Sequence, residues 1–145
     1  MRPRARRQLT DVLACADIGL MILANVPAFY YGTSPNKFFD YLASGLPALN
    51  NYPGWLSDLI TTHQCGVAVP PDNPEMFADA LERLADNPEL RETMRKNARM
   101  LAEADFSRDQ LAERFVSWLE ASNERGQRSG RWASHQAALI RTDRQ

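Results

Sequence analysis

The stretch Ser34-Pro35-Asn36-Lys37-Phe38-Phe39-Asp40-Tyr41-Leu42-Ala43-Ser44-Gly45-Leu46-Pro47 carries a complete helix with both ends written into it, and it narrows the fold more than any other part of the chain. Ser34 suits the N-cap and Pro35 the first helical position, while Gly45 followed by Pro47 stops the helix. At about 100° per residue, Phe38, Phe39, Leu42 and Ala43 fall on one side and Asn36, Lys37, Asp40 and Ser44 on the other. The polar side sets a carboxylate and an ammonium beside a helix N-terminus, whose unpaired N–H groups favour an anion such as phosphate. A solvated face on an ordinary amphipathic helix has the same composition, so the neighbours decide.

Those neighbours are apolar. Ile18-Gly19-Leu20-Met21-Ile22-Leu23 lies upstream, and Pro47-Ala48-Leu49-Asn50 follows the helix directly. Strand, loop, helix, strand is the order of a βαβ unit, and the run from Ile18 to Leu23 is continuous rather than alternating, as in a strand covered on both faces. The expected fold class is therefore α/β: a partial Rossmann-like domain with a short parallel sheet flanked by helices. In such sheets ligands sit at the carboxyl ends of strands, beside helix N-termini. The segment Ala24 to Thr33 is then a loop at a strand's carboxyl end. Its Tyr30 and Tyr31 fit ordinary packing and stacking on a base or sugar equally well. Thr33 and Ser34, with the backbone N–H groups around them, fit a diphosphate.

The remaining segments extend the same alternation. Leu9, Val12, Leu13 and Ala16 have helical spacing and are expected to cover one face of the sheet. Asn50-Asn51-Tyr52-Pro53-Gly54 reads as a turn, and Trp55, Leu56, Leu59 and Ile60 mark a short helix ended by His63 and Gln64. Cys65-Gly66-Val67-Ala68-Val69 is a third strand. Asp72 or Asn73 can cap the helix that begins at Glu75, which carries Phe77, Ala80, Leu81 and Leu84 on one stripe. Asp86-Asn87-Pro88 breaks it, and a helix from Glu89 to about Ala104 turns Leu90, Met94, Ala98 and Leu101 inward. Asp105-Phe106-Ser107 precedes a last helix with Leu111, Phe115, Val116, Trp118 and Leu119 as its apolar positions. The expected division is a domain over residues 1–120 and a polar, flexible tail over 121–145.

Composition excludes several classes. A net charge of −1 gives no bulk attraction to nucleic acid or anionic lipid. The basic start, Met1-Arg2-Pro3-Arg4-Ala5-Arg6-Arg7, imitates a secretory signal, but Asp11 and Asp17 interrupt the part that would have to be apolar. The longest apolar run, Ile18 to Ala24, is far short of the roughly 20 residues needed to span a bilayer. Cys15 and Cys65 lack metal-ligand spacing and read as buried free thiols of a reducing compartment. There is no Ser/His/Asp arrangement, no full dinucleotide fingerprint and no pattern that calls for a cofactor. His63 has no acid spaced to orient it and receives no catalytic role.

Residues 11 to about 120 resemble the closing part of the C-terminal, donor-binding domain of GT-B glycosyltransferases of family 4, most of all the branch that adds amino-deoxy sugars such as N-acetyl-L-fucosamine to surface polysaccharides. The matching pieces are Ala16-Asp17-Ile18-Gly19-Leu20, the block from Ser34 to Pro47, Cys65-Gly66-Val67-Ala68-Val69-Pro70, Asn97-Ala98-Arg99 and Phe106-Ser107. Many members carry two glutamates eight positions apart, the second credited with holding the ribose hydroxyls. The resemblance places Asp40 at the second position and Gly32, which has no carboxylate, at the first. It implies a nucleoside diphosphate sugar donor, a UDP-sugar in first place, with Thr33, Ser34, Asn36 and Lys37 around the diphosphate and Asp40 on the ribose. It also implies a glycan or polyprenyl-linked acceptor, no catalytic residue that this chain identifies, and a cytoplasmic location, at most peripheral to the inner membrane face.

In the resembled fold, earlier strands and the acceptor domain precede this part. The alternative is therefore a non-catalytic nucleotide-sugar-binding module that pairs with a second copy or with a complementary N-terminal half. A sugar-nucleotide epimerase of the same two-domain fold ranks last, because its acid and base would come from outside this chain.

Overall fold

The computed structural model describes residues 6–123. The chain folds as an α/β structure with the order α1 (Arg6–Ala14), β1 (Gly19–Met21), α2 (Pro27–Tyr30), α3 (Asn36–Ala43), β2 (Ala48–Asn50), α4 (Trp55–Thr62), β3 (Gly66–Ala68), α5 (Pro74–Asp86) and α6 (Pro88–Asp105). The three strands form a parallel sheet in the order β1-β2-β3, with Leu20 opposite Leu49 and Leu49 opposite Val67. This is the partial Rossmann-like architecture that the apolar runs imply, although each strand is only three residues long.

Each face of the sheet has its own core. Met21, Phe38, Leu42, Ala48, Leu56 and Ile60 pack on one side, where α3 and α4 run back between successive strands. Leu49, Val69, Ala80, Leu84 and Met94 pack on the other, under α5. The long α6 serves both, giving Met94 to one core and Ala98 and Leu101 to the other. Gly66 lets β3 approach β2: a Cβ there would lie 2.0 Å from the Ala48 carbonyl oxygen.

The local chemistry explains the helix ends. α3 stops in a Schellman turn, with Gly45 at φ +66°, its N–H donating to Leu42 O at 3.0 Å and the Leu46 N–H to Tyr41 O at 2.8 Å. Asn73 caps α5 by accepting from the Met76 N–H at 2.9 Å, and Asn87 caps α6 by accepting from Leu90 N–H at 2.9 Å. The start of α3 differs from the sequence expectation. Pro35, not Ser34, sits at its N-cap in extended backbone and offers no side-chain bond. A proline cannot donate a hydrogen bond and restricts its predecessor to extended conformations, so the helix begins one residue later.

Four further expectations are corrected. α1 leaves Leu9 and Val12 exposed and does not bury its stripe on the sheet. Residues Pro27–Tyr30 form a short helical turn inside what the sequence suggests is loop, because Pro27 presets the first turn. Ala43 is exposed, and Tyr41 lies over the Gly19 backbone. Cys15 is exposed, whereas Cys65 is buried, and burial pushes the Cys65 thiol up to about 11.

Contacts divide the chain into a compact unit ending at Phe106 and a second one from Ser107. In the second, residues 108–123 are helical, and the Ser107 carbonyl accepts the Leu111 N–H at 2.9 Å. Its apolar stripe of Leu111, Phe115, Val116, Trp118 and Leu119 is exposed, with the Phe115 and Trp118 rings stacked 6.2 Å apart. The expected tail begins at residue 121, but 121–123 continue the helix; its remainder lies outside the described residues. Among the described residues, no helix is long and apolar enough to cross a membrane.

Candidate functional site

The connection from β1 to α3 leaves the carboxyl end of β1 and is seated on the connection from β2 to α4. Asn51 imitates a strand neighbour: its Oδ1 accepts from Leu23 N–H at 2.8 Å and its Nδ2 donates to Leu23 O at 3.1 Å. Gly54, at φ +114°, brings its backbone so close that a Cβ would lie 2.5 Å from Tyr30 O. Trp55 Nε1–H then donates to Thr33 O at 3.1 Å. These three attachments hold the loop, most of whose residues are exposed, to the connection beneath it.

Inside the loop, Thr33 Oγ1 donates to Phe29 O, and Tyr30 Oη–H donates to Asn25 Oδ1. Asn25 Nδ2 in turn donates to Asp72 Oδ2, which ties this loop to the one after β3. Burial, and then the Asp72 carboxylate, raise the Tyr30 hydroxyl above its ordinary pKa. Of the two tyrosines, Tyr30 is buried and therefore packs, while Tyr31 is 76% exposed.

The five residues singled out from sequence lie within this loop and the first turns of α3. Thr33 is half-buried; Ser34, Asn36, Lys37 and Asp40 are exposed. Pro35 gives no side-chain cap, but its carbonyl accepts the Phe38 N–H at 3.0 Å, which leaves the Asn36 and Lys37 amides as the unpaired leading donors of α3. Lys37 departs from the simple picture of a free ammonium beside them. Its Nζ donates to Leu20 O at 3.1 Å, a carbonyl on the side of β1 away from β2, and the Tyr41 hydroxyl lies 3.5 Å from the same oxygen. The Asp40 carboxylate has no hydrogen-bond or ion-pair partner among the described residues. It lies near Tyr41, whose hydroxyl is held above its ordinary pKa by burial first and by Asp40 second.

A cavity of about 450 Å³ also opens at the carboxyl ends of the strands, between Ile22, Asn51, Pro70, Asp72 and Phe77. None of the five residues lines it. It is a mostly apolar recess beside α5 with Asp72 in its lining, whereas Lys37, Asp40 and the unpaired leading amides belong to α3. Sequence reasoning missed Asn25, Asn51 and Trp55 as parts of the loop's support. The only signal was the density of turn formers in Asn50-Asn51-Tyr52-Pro53-Gly54, which says that the chain turns there and not what it holds. Among the described residues, no group of His, Cys, Asp and Glu is placed to hold a metal ion.

Comparison with known proteins adds the following. The family described as "Glycosyl transferases group 1" matches residues 27–101, which include the whole loop from Pro27, α3 and the supporting turn. The "Alpha-D-kanosaminyltransferase" of Streptomyces kanamyceticus is 46% identical over 61 residues, covering 39% of this chain. The match takes in only 16% of that relative's length. No solved structure matches significantly.

Proposed function

Because the chain belongs to the group 1 glycosyl transferases, we propose that it binds the donor in sugar transfer from a nucleoside diphosphate sugar. The family 4 assignment, the GT-B class and a UDP-sugar donor are parts of this reading. So are a glycan or polyprenyl-linked acceptor in surface polysaccharide synthesis and a cytoplasmic site of action. The kanosaminyl group in the relative's name supports an amino-deoxy sugar.

Thr33, Ser34, Asn36 and Lys37 are assigned to the diphosphate and Asp40 to the ribose. The observation that carries this is the placement of an unpartnered, exposed Asp40 on the same short helix whose uncapped N-terminus stands at the carboxyl end of β1. Transfer leaves negative charge on the departing diphosphate. Backbone N–H groups at a helix N-terminus, equivalent to roughly half a positive charge, stabilise that charge without reorganising. Lys37 adds to it once its ammonium leaves Leu20 O. A carboxylate accepts two hydroxyl hydrogen bonds, which suits Asp40 to a ribose diol. No residue of the site is placed as a general base, so activation of the acceptor is assigned to groups outside the described residues.

Calorimetric titration of the full chain with UDP and with GDP tests the reading: heat of binding with at least one is expected, and none with either counts against it.

A second reading, a module that works by pairing with another chain, is favoured by one observation. β1 is an edge strand whose Leu20 is 36% exposed, Ile22 just after it is 56% exposed, and Leu9 and Val12 of α1 are uncovered as well. Parallel strands are normally covered on both faces. Light scattering separates the two, since a stable monomer argues against pairing with a second copy.

A further inference from the structure

The turn before α4 does more than connect. We infer that Trp55 is a positioning residue for donor binding: its indole N–H sets the direction of the Ser34 amide. The inference rests on the donor-loop reading above.

The geometry is as follows. Trp55 Nε1–H donates to Thr33 O at 3.1 Å. The chain contains no cis peptide bond among the described residues, so the Thr33–Ser34 peptide is trans and planar. In such a unit the C=O and the following N–H point in opposite directions. Anchoring Thr33 O on Trp55 therefore turns the Ser34 N–H away from the indole, on a residue that is exposed. The Ser34 amide then stands next to the uncapped start of α3 and can join its amides on one phosphate oxygen.

The indole is itself held. It packs against Phe39, with ring centroids 6.4 Å apart and planes 30° apart, and Phe39 packs on Phe106 at 5.1 Å. Gly54, just before it, approaches the Tyr30 carbonyl so closely that no side chain fits. The ring thus cannot swing away without disturbing the aromatic cluster behind it, while its N–H faces the loop. Removing the N–H leaves the 33–34 peptide free to rotate, and the anion site loses one aligned donor.

The test uses the full chain and Trp55→Phe, which keeps a ring on Phe39 and removes the donor. Calorimetry with UDP should show binding weakened about threefold to tenfold, the range for one hydrogen bond, with the unfolding temperature nearly unchanged. UDP binding of the wild type with an equal affinity in Trp55→Phe overturns the positioning role and leaves the donor-loop reading intact. Absence of UDP and GDP binding in the wild type overturns the donor-loop reading itself. Should Trp55→Phe fail to fold, the indole N–H resonance of nitrogen-15-labelled wild type gives the answer, assigned by Trp118→Phe and Trp132→Phe. A slowly exchanging signal that shifts on addition of UDP supports the role, and one that exchanges freely and does not move overturns it.

Discussion

Substituting Asp40 separates binding from folding, because the residue has an assigned ligand but no structural partner. Its carboxylate is exposed on α3, makes no hydrogen bond or ion pair among the described residues, and lies opposite the buried Phe38 and Leu42. Replacement by Ala removes no core contact. An exposed helical site without partners changes stability by about 0.5 kcal/mol or less, and Ala has the higher helix propensity. The unfolding transition of Asp40→Ala should therefore stay within a few degrees of wild type. Binding has a different expectation. A hydrogen bond to a charged group contributes about 1.5–3 kcal/mol, and partial replacement by water brings the loss to the lower part of that range. One such bond at about 1.5 kcal/mol corresponds to roughly tenfold in the dissociation constant. Asp40→Asn keeps the shape and one acceptor, so its loss should be smaller. The assay is calorimetry with UDP and GDP on wild type and both variants, with thermal unfolding followed by circular dichroism. Equal affinities for wild type and Asp40→Ala refute the ribose assignment. A large drop in unfolding temperature would instead show that Asp40 has a structural role that its surroundings do not reveal.

Gly66→Ala should destabilise strongly, by about 3 kcal/mol at the upper end of overpacking costs, because the new methyl meets Ala48 O at 2.0 Å and Ala48 N at 2.7 Å, both backbone atoms; chemical denaturation reads this, and a wild-type midpoint contradicts it. Gly32→Glu restores a carboxylate at the other acidic position of the resembled family, and a Cβ there has nothing within 4 Å; unchanged unfolding with tighter UDP binding is expected, and a fall in stability contradicts the open space. Thiol titration at pH 8 should find Cys15 reactive in the native protein and Cys65 only after denaturation, since Cys15 is exposed and burial holds the Cys65 thiol at about 11. The same shift sets an alkaline limit: the folded pKa lies above the ordinary thiol value of 9.0, so the stabilisation is complete below about 9 and is lost as pH rises through about 11. Cys65→Ala should flatten that part of the stability profile.

The order of elements was legible because helix ends are local chemistry. Gly45 and Pro47, Asn73 and Pro74, and Asn87 and Pro88 stop or start helices through atoms within a few residues, and the structure places turns and caps at all three. Strand lengths were less legible. Ile18, Ile22 and Leu23 extend the apolar run beyond β1, but apolar character reports burial and not pairing, and only Gly19 to Met21 face partners on β2. The start of α3 lies one residue later than the sequence indicates because Ser34 and Pro35 both have the chemistry of a helix start, and backbone angles decide between them.

What could not be read at all were attachments between distant residues, and these give the family-like pieces their physical meaning. Asn97 Nδ2 donates to Gln64 O at 3.1 Å, across the turn where Gln64 adopts φ +49°, and so holds the entry to β3. Ala98 is fully buried in the core under α3, where no larger side chain fits without displacing it. Arg99 donates through Nη1 to Ala43 O, placing a cation on the C-terminal end of α3 where the helix dipole favours it. One turn earlier, Arg95 donates to Ala16 O at 3.0 Å and pairs with Asp17 at 3.2 Å, just ahead of β1. The Asn97-Ala98-Arg99 motif thus braces α3 from its far end, while Asn51, Gly54 and Trp55 seat the loop before its N-terminus. α3 is therefore clamped at both ends by segments that carry no ligand residue. A helix held in this way presents its leading amides and Asp40 in a fixed relation, which is what the proposed binding of a diphosphate and its ribose requires.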